Sequence, residues 1–540
     1  MELHNLGAII FHPFSLFFSL LLFFLSTWLF FSLFVPLLLF FLYKWLFFSI
    51  GAPKKNLPPS PPKLPIIGNL HQLRPNIHRT FHAMAQRYGP LMLLHLGSSP
   101  TLVVSSANAA REIMKVNDTV FADRAKLSIM QRISYNQNNI AMSPYGPYWR
   151  HMKSICITQL LSSARIRSFR DIREEETTLL MKKSEEYSYA TFDKTRLKYS
   201  YSQTQHNHIS GLVNLSELFP SLTRGVICRV ALGKKYEEQG RRRSKDLLEE
   251  MNALFTTFNM SDFIPWLGWV NYVNGLNRRV EKLFREFDAF FDEIVDDHMV
   301  CGSKEKADFV DVLLEIQKNS LDGVHFMGRE NIKAIILDMF TAGTDTSSAV
   351  LEWAMTELLR HPQIMKKVQE EVRRIDQGKS MVTEDDIQEM QYLKAVIKET
   401  LRLHPPTPLL LPRESIEDAK VQGYDILART RVFINAWAIG RDPESWEEAE
   451  EFRPERFLNN LVNFKGDDFH FIPFGAGRRG CPGITFGITI IELVLANILR
   501  KFDWMVPEKF VKESLDITES SGITTHRQFP LIVSVKHQYY

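Results

Sequence analysis

Cysteine is scarce in this chain, and the cysteines that occur are far apart. The 540 residues include only 4 of them, none in a CxxC pair, namely Cys156, Cys228, Cys301 and Cys481. Zinc sites and disulfide frameworks need cysteines at close or regular spacing, so both are disfavoured here. Sparse, unpaired cysteines are typical of a protein body in a reducing compartment.

Two further absences narrow the classes of function. The formal net charge is only +3, so no excess of positive charge indicates a nucleic-acid partner. We also find no region of the sequence that predicts a binding site for a dinucleotide or a flavin. If the chain catalyses a redox reaction, its electrons must therefore come from a separate protein. The composition is otherwise that of a globular protein, 45% hydrophobic and 24% charged, in a chain long enough for a large core.

Charge is also absent from a long stretch near the N-terminus, residues 14–43. About 20 apolar residues cross a bilayer as a helix, whereas the apolar region of a secretory signal has about 7–15. We therefore predict one transmembrane helix within residues 20–43, with Pro36 as a tolerated kink. A buried core helix is the alternative, although cores seldom need so long an apolar run. The lysines that follow place the rest of the chain in the cytosol; they are Lys44, Lys54 and Lys55.

A proline-rich segment, LPPSPPKLP at residues 57–65, follows the apolar run. Such a segment forms neither a helix nor a central strand and favours an extended conformation, so we predict a stiff spacer. The chain then divides into a membrane anchor at residues 1–50, a proline-rich hinge at 51–70 and a catalytic body at 71–540.

Hydrophobic patterning predicts a mainly helical body with small β-sheets. The apolar runs Leu91–Leu96 and Thr101–Val104 are separated by turn residues and predict a β-hairpin. Helices are predicted over Ala107–Val116 and Arg329–Leu359. Residues 183–210 are polar and without periodicity, which predicts a surface loop of no assigned function.

The strongest candidate for chemistry is Cys481, because of the residues around it. Cys481 belongs to a spaced pattern of five residues, namely Phe474, Gly477, Arg479, Cys481 and Gly483. About 10⁻⁴ matches to this pattern are expected by chance at ordinary residue usage. The glycines permit backbone turns, and Pro482 suits the first turn of a helix, which puts Cys481 at its N-cap. Exposed N–H groups there favour a thiolate. The alternative is an inert buried cysteine.

A second unusual stretch lies inside the predicted helix Arg329–Leu359. Residues 342–347, AGTDTS, are poor helix formers, so we predict that the helix is interrupted there, with Gly343 opening the backbone. Thr346 offers a hydroxyl and Asp345 an acid, two groups that can take part in proton transfer. A simple bend or a close helix contact is the alternative.

These stretches resemble the signatures of the cytochrome P450 haem-thiolate monooxygenases. The anchor, the proline-rich hinge and the run Pro454–Phe457 resemble the plant microsomal members of specialised metabolism, the A-type clan. The resemblance implies the cytochrome P450 fold, mainly α with small β-sheets, preceded by one N-terminal transmembrane helix. It also implies haem (heme b), with the iron axially bound by the Cys481 thiolate, and NADPH acting only indirectly through a reductase.

Roles for individual residues follow from the same resemblance. Haem contacts are implied for Arg479, Phe474, Gly477, Gly483, Trp149, Lys153 and Arg413. Lysine at position 153 keeps the charge of the arginine found in many relatives but lacks its bidentate fork. The resemblance implies that Ala342, Gly343, Asp345 and Thr346 form the oxygen-activating groove and that Asp345 and Thr346 deliver protons there. A buried, structural charge triad is implied for Glu399, Arg402 and Arg456.

The resemblance also implies that residues 121–146 form a lid loop over the substrate pocket. Substrate contacts are implied for side chains on this lid loop, on the long helix and after the helix that contains Arg402. The candidates are Ile129, Ile133, Ile140, Met142, Met339, Thr407, Leu409, Leu410 and Leu411. Most are apolar, which indicates a mainly apolar substrate. Ordinary core packing is the alternative for each of them.

The implied function is hydroxylation, or oxidative rearrangement, of a small plant metabolite with O2. The implied partners are NADPH–cytochrome P450 reductase, with cytochrome b5 as a second candidate donor, and the lipid bilayer. The implied location is the endoplasmic reticulum membrane, single-pass, with the catalytic body facing the cytosol. Two alternatives stay open: a haem-thiolate dehydratase or isomerase without oxygen insertion, and a membrane-anchored binding protein without a redox role.

Overall fold

The structure is a computed structural model that describes residues 27–40, 43, 55–189, 212–233, 238–301, 307–319, 327–374 and 379–537. The chain divides into two compact units, Met1–Leu57 and Pro58–Tyr540. Much of the predicted polar loop at 183–210 lies outside the described residues. Its first part, residues 183–189, is helical rather than a loop.

In the first unit, residues 27–40 form helix α1, and the helix continues through Pro36. No helix among the described residues combines the length and the apolar character needed to cross a bilayer. The predicted span at residues 20–43 lies partly outside the described residues.

The second unit is mainly helical. Its α-helices are α2 (Ile77–Tyr88), α3 (Ala107–Arg111), α4 (Ser128–Ile133), α5 (Pro147–Ile155), α6 (Ser163–Ser168), α7 (Arg170–Tyr189), α8 (Leu215–Leu232), α9 (Glu238–Thr256), α10 (Val270–Val273), α11 (Leu276–Cys301), α12 (Phe309–Asn319), α13 (Arg329–Arg360), α14 (Pro362–Arg373), α15 (Gln391–Leu403), α16 (Ala436–Ile439), α17 (Ile484–Lys501) and α18 (Val511–Ser514). The predicted helix Ala107–Val116 is α3, continued by a π-helical turn over Glu112–Val116.

The strands are β1 (Leu91–Leu96), β2 (Ser99–Val104), β3 (Asp123–Arg124), β4 (Leu212–Asn214), β5 (Arg413–Glu414), β6 (Ala419–Val421), β7 (Tyr424–Ile426), β8 (Arg431–Ile434), β9 (Phe502–Met505) and β10 (Ile532–His537). They form a five-stranded sheet in the order β1-β2-β8-β5-β3, a three-stranded sheet in the order β4-β10-β9, and a β6-β7 hairpin. The predicted hairpin is confirmed as antiparallel β1 and β2, with Leu93 opposite Leu102. The fold class, mainly α with small sheets, is confirmed.

Helices α13 and α17 form the centre of the body. Apolar side chains occur all round both helices rather than on one face, which is the pattern of helices buried in a core. The prediction of a long helix from Arg329 is confirmed, but the predicted interruption at residues 342–347 is wrong, because α13 is continuous. Two hydroxyls of this stretch donate to carbonyls one turn back, Thr344 to Phe340 and Thr346 to Ala342, both at 2.7 Å. These bonds give both hydroxyls a partner within the helix, but such bonds slightly destabilise a helix rather than support it, so the continuity of α13 comes from its burial in the core.

Candidate active site

A cavity of about 380 Å³ lies where α13, the loop before α17 and the segment before β5 meet. This volume is within the usual range for pockets that bind small molecules. Apolar side chains dominate its wall, including Met130, Ile227, Phe255, Phe309 and Ile491. Most of the predicted site residues line it as well: Phe474, Cys481, Gly483, Arg479, Trp149, Lys153, Arg413, Ala342, Gly343, Asp345 and Thr346. These predicted residues come from four separated parts of the sequence, at 149–153, 342–346, 413 and 474–483, and they share one cavity.

The sulfur of Cys481 is accessible from this cavity although protein surrounds it. The loop that carries it is closed by a hydrogen bond from the Cys481 N–H to the Phe474 carbonyl, 3.0 Å long. Burial raises the pKa of the Cys481 thiol, while a hydrogen bond from the Gly483 N–H and the charge of Lys153 oppose the rise. A cation bound in the cavity would stabilise the thiolate further, since metal ligation requires the deprotonated sulfur.

The predicted position of Cys481 at a helix N-cap is wrong by two residues. Gly483 is the N-cap of α17, and the helix begins at Ile484. Pro482 therefore lies outside the helix and not in its first turn. The backbone donor to the sulfur is the N–H of Gly483, the N-cap residue itself.

The two glycines of the motif differ in what they do. Gly477 has φ of +67°, and a Cβ there would lie 2.1 Å from the Met114 carbonyl oxygen, so only glycine fits. Gly483 has an ordinary φ of −91°, and a Cβ there would lie 3.8 Å from the Cys481 sulfur. Gly477 thus shapes the loop without lining the cavity, whereas Gly483 leaves room beside the sulfur.

Four cations crowd one side of the cavity: Arg124, Lys153, Arg413 and Arg479. Burial, followed by the charge of Arg479, lowers the pKa of Lys153 to about 8. Burial, followed by the charge of Arg413, lowers the pKa of Arg479 to about 9. Burial also lowers the pKa of Arg413 and that of Arg124. So many buried cations need compensating anions.

Protein acids supply little of that compensation. Asp118 lies 3.3 Å from Arg413, but the other guanidinium contacts are to backbone carbonyls. Arg479 donates to the carbonyls of Ala122, Ile140 and Ser143, and Arg124 donates to that of Ala141 at 2.9 Å. Neutral carbonyls do not cancel the charge, so the cavity suits a ligand with carboxylate groups. The two propionates of a haem are such groups, and the residues present therefore fit that cofactor.

Trp149 lies between two of these cations. The Lys153 ammonium is 5.0 Å and the Arg479 guanidinium 4.3 Å from the centre of its ring. The indole N–H donates to the Ile140 carbonyl at 3.1 Å. The Lys153 ammonium also donates to the Arg478 carbonyl. The helical spacing of Trp149 and Lys153 on α5 thus brings both side chains to the cation cluster, as the sequence predicts.

On the opposite side, α13 presents Ala342, Thr346 and Asp345 to the cavity. Gly343 does not open the helix, contrary to the prediction. A Cβ at this position would lie 2.5 Å from Cδ1 of Ile227 on α8, so glycine allows α8 to approach closely. The Asp345 carboxylate is paired with His526, at 3.0 Å from Nε2, a partner that sequence reasoning missed.

Asp338 is a second missed residue of α13, and it holds the loop that lids the cavity. Its carboxylate accepts from the Asn139 amide at 2.6 Å, the Ile140 N–H at 2.7 Å and the Ala141 N–H at 3.0 Å. Burial raises the pKa of Asp338 to about 6, although these three donors act in the opposite direction. The signal in the sequence is an acid within an otherwise apolar helical run, residues 334–340.

We expect Asp338→Ala to loosen this lid loop without unfolding the body. Removing the carboxylate leaves the buried N–H groups of Ile140 and Ala141 without an acceptor, at a cost of about 1–3 kcal/mol for each unpaired group. Hydrogen exchange of these two amides should become at least about fivefold faster. The exposed Asp385→Ala is the matched control, and unchanged exchange in Asp338→Ala would contradict the assignment.

The candidate substrate residues separate into two groups. Those that line the cavity are Ile133, Ile140, Met142, Met339, Thr407, Leu410 and Leu411. The other two candidates, Ile129 and Leu409, do not line it. Ile129 is buried within the main hydrophobic core, and Leu409 packs against the apolar cluster around Phe81 and the β1–β2 hairpin. One residue of offset along the chain turns a side chain from the cavity into the core.

The predicted charge triad is assembled, away from the cavity. Nε and Nη2 of Arg402 donate to the two carboxylate oxygens of Glu399, each at 2.7 Å, and Arg456 contacts the same carboxylate at 3.1 Å. Arg402 also donates to the carbonyls of Gly440 and Ala449, at 2.6 Å each. The carboxylate is fully buried, so the network is a structural lock with its hydrogen-bonding groups paired.

Together, a cysteine sulfur that is accessible from the cavity, a cluster of buried cations and a helix bearing an acid and a hydroxyl define a class of protein: an enzyme that holds an anionic cofactor through a cysteine ligand. The family model described as Cytochrome P450 matches residues 58–531. The chain belongs to the cytochrome P450 family and is a monooxygenase, an oxidoreductase. The family implies a haem whose iron is ligated by a cysteine thiolate.

Similar proteins come from several plants. The chain is 50% identical over 487 residues to Cytochrome P450 736A117 of Prunus mume, covering 88% of this chain and 90% of that protein. It is 50% identical over 479 residues to Cytochrome P450 71A1 of Persea americana, covering 87% and 91%. It is 46% identical over 494 residues to norfluorocurarine oxidase of Strychnos sp, covering 89% and 93%. These relatives make it a plant cytochrome P450.

Among solved structures, a zebra fish cytochrome P450 with progesterone matches with a TM-score of 0.71 and 23% identity, covering 85% of this chain and 99% of that one. Another, with abiraterone, matches with a TM-score of 0.69 and 24% identity, covering 86% and 100%. At this level of identity the likeness shows the fold.

Proposed function

We propose that this chain is a membrane-anchored monooxygenase that inserts one oxygen atom of O2 into a small, mainly apolar plant metabolite, with electrons from NADPH through a separate reductase. The observation that carries the proposal is the shared cavity. Cys481 on one wall, Thr346 and Asp345 on another, and apolar side chains between them all line the same space.

The residues that would hold the haem are those of the cation cluster and the cysteine loop. Cys481 is the candidate iron ligand, and Arg479, Arg413, Lys153 and Arg124 are candidates for contacts with the propionates. When bound, a thiolate-ligated haem supplies the electron density that favours O–O cleavage. The protein contributes orientation and electrostatics. Propionates bound there would neutralise the cation cluster. They would thereby offset the repulsion between neighbouring cations that, after burial, lowers the pKa values of Lys153 and Arg479.

On the α13 side, two groups handle protons. The Thr346 hydroxyl donates to the Ala342 carbonyl at 2.7 Å, which leaves its oxygen able to accept from the cavity. Asp345 is ionised at neutral pH, because the hydrogen bond and charge of His526 outweigh burial and lower the pKa of the carboxyl. The apolar wall holds substrate and limits the water that reaches it.

The substrate class rests on the lining and on the relatives. Ile133, Met339, Leu410 and Leu411 give the cavity apolar surface, and one relative is named as an oxidase of norfluorocurarine. We infer a small plant specialised metabolite as substrate. The same proposal includes the reductase, with cytochrome b5 as second donor, the single N-terminal anchor and the cytosol-facing location in the endoplasmic reticulum membrane. The charge-free run at residues 14–43 supports the anchor and the membrane location.

Labelled dioxygen distinguishes the proposal from a haem-thiolate dehydratase or isomerase. We expect the product formed under ¹⁸O₂ by the anchored enzyme with reductase to carry one labelled atom, and turnover to require NADPH. A screen of plant metabolites supplies the substrate for this assay. Turnover that is indifferent to NADPH, with an unlabelled product, would establish the dehydratase or isomerase instead.

A further inference from the structure

The histidine at position 526 connects two acids of α13 beside the cavity. Its Nε2 lies 3.0 Å from Asp345 and its Nδ1 lies 3.8 Å from Glu352. The two acids are seven residues apart, two helical turns, and therefore share one face of α13. Asp345 lines the cavity together with Ile523 and Thr524, which precede His526 in the C-terminal segment.

Neighbouring contacts hold the imidazole in this position. The Trp353 indole donates to the Thr525 carbonyl at 2.9 Å, and the Thr525 N–H donates to the Pro406 carbonyl at 2.8 Å. The Ser520 N–H donates to the carbonyl of His526 itself at 2.9 Å. Thr525, the residue before the histidine, thus ties the segment to α13 and to the residues after α15.

Charges around the pair favour an imidazolium and a carboxylate. Burial lowers the pKa of His526, but its bonds to Asp345 and Glu352 prevail and raise it to about 10. From the other elements packed here, Asn252 of α9 and Thr524 donate to Asp345. Ser216 of α8 donates to Glu352. Arg527 adds a positive charge near Glu352.

We propose that His526 is a positioning residue, which holds Asp345 as an ionised, fixed carboxylate at the cavity wall and thereby governs the proton transfers of turnover. The inference rests on the proposed function, because it takes Asp345 as the acid that handles protons. It assigns the control of that acid to a side chain outside the cavity lining. Glu352, held by the Ser216 hydroxyl, is the second anchor of the imidazolium.

The physical reason is the burial of Asp345. Desolvation is the largest influence on its carboxyl and acts to raise the pKa. Without the imidazolium, that influence is opposed only by neutral donors and distant charges. The carboxyl then becomes protonated at a higher pH and loses the partner that fixes its orientation.

The direct test replaces the histidine in the full-length holoenzyme with reductase. In His526→Gln, we expect the share of NADPH electrons recovered in product to fall about tenfold, less than the ~100-fold that loss of a general acid itself costs. We also expect the acidic limb of the pH profile to move up by about one unit. His526→Arg, which keeps a positive charge, should restore both to within about twofold of the wild type. His537→Gln, at an ion pair with Glu185, is the matched control.

A second readout does not depend on turnover. The measurement is the ¹⁵N NMR signal of His526 in the reduced, carbon-monoxide-bound enzyme with ¹⁵N-labelled histidine. This signal is identified as the one that is lost in His526→Gln. In the wild type it should remain that of an imidazolium at pH 8. In Asp345→Asn it should titrate at lower pH. The linked stability has a definite sign: the contribution is full below the ordinary histidine pKa of 6.5 and is lost as the pH rises through about 10.

The outcomes separate this inference from the proposed function. If the wild type forms no thiolate band with carbon monoxide, or incorporates no label from ¹⁸O₂, the proposed function fails. If it passes both tests and His526→Gln matches it in product yield and pH profile, the positioning role alone is overturned. A failure of His526→Arg to restore yield, or a wild-type His526 signal that titrates near 6.5, also overturns it.

Discussion

Replacing Cys481 by serine should abolish the strongly red-shifted absorption band of the reduced, carbon-monoxide-bound enzyme. A serine hydroxyl stays protonated where a thiolate forms, so it cannot supply the negative sulfur that produces the band. Product formation should fall by at least about 100-fold, since even residues that only support a metal ligand cost 10- to 100-fold. The measurement is the difference spectrum, together with product yield under ¹⁸O₂.

Two cysteines elsewhere in the body provide the controls. Cys156 and Cys228 are both buried, and burial raises the pKa of each thiol above its ordinary value. Neither lines the cavity. Cys156→Ala and Cys228→Ala should therefore retain the band. A band that survives in Cys481→Ser and disappears in one of the controls would show that the ligand has been misassigned.

Breaking the charge triad should produce the largest loss of stability among single substitutions away from the cavity. Arg402→Leu leaves the fully buried Glu399 carboxylate with only Arg456 as a charged partner. Removing one member of a buried ion pair costs about 3–5 kcal/mol of folding free energy. The midpoint of urea unfolding should fall accordingly, and the haem band should be lost at the same urea concentration, because the network joins α15 to the Pro454–Phe457 turn.

An exposed helical pair is the matched control for this prediction. Lys282 and Glu286 lie four residues apart on α11, 3.8 Å from each other, with both side chains largely exposed. Lys282→Ala should change the free energy of unfolding by less than about 0.5 kcal/mol. Equal effects of Arg402→Leu and Lys282→Ala would mean that the triad is not a lock.

Local sequence was sufficient where a property depends on neighbouring residues. The β1–β2 hairpin, the long helix from Arg329 and the spacing of Trp149 and Lys153 on α5 were all predictable, because periodicity and turn residues act over a few positions. The same holds for Gly477, whose left-handed φ of +67° needs glycine. The run at residues 342–347 shows the limit: its composition predicts an interrupted helix, yet α13 is continuous because it packs closely against α8.

Long-range contacts were not predictable from any spacing. Arg124, Asp338 and His526 belong to no motif of the sequence, and each acquires its role from a partner far along the chain. Loop side chains are equally ambiguous, since Leu409 faces the core while Leu410 and Leu411 face the cavity.

The motif around Cys481 and the order of the other motifs were enough to indicate the family and the kind of cofactor, because ligand identity and loop shape are encoded in a few adjacent residues. The tertiary structure decided which cations surround the cavity, which acid holds the lid loop and which histidine governs Asp345. Those features depend on burial and on charges brought together from distant segments, and only folding sets the distances between them.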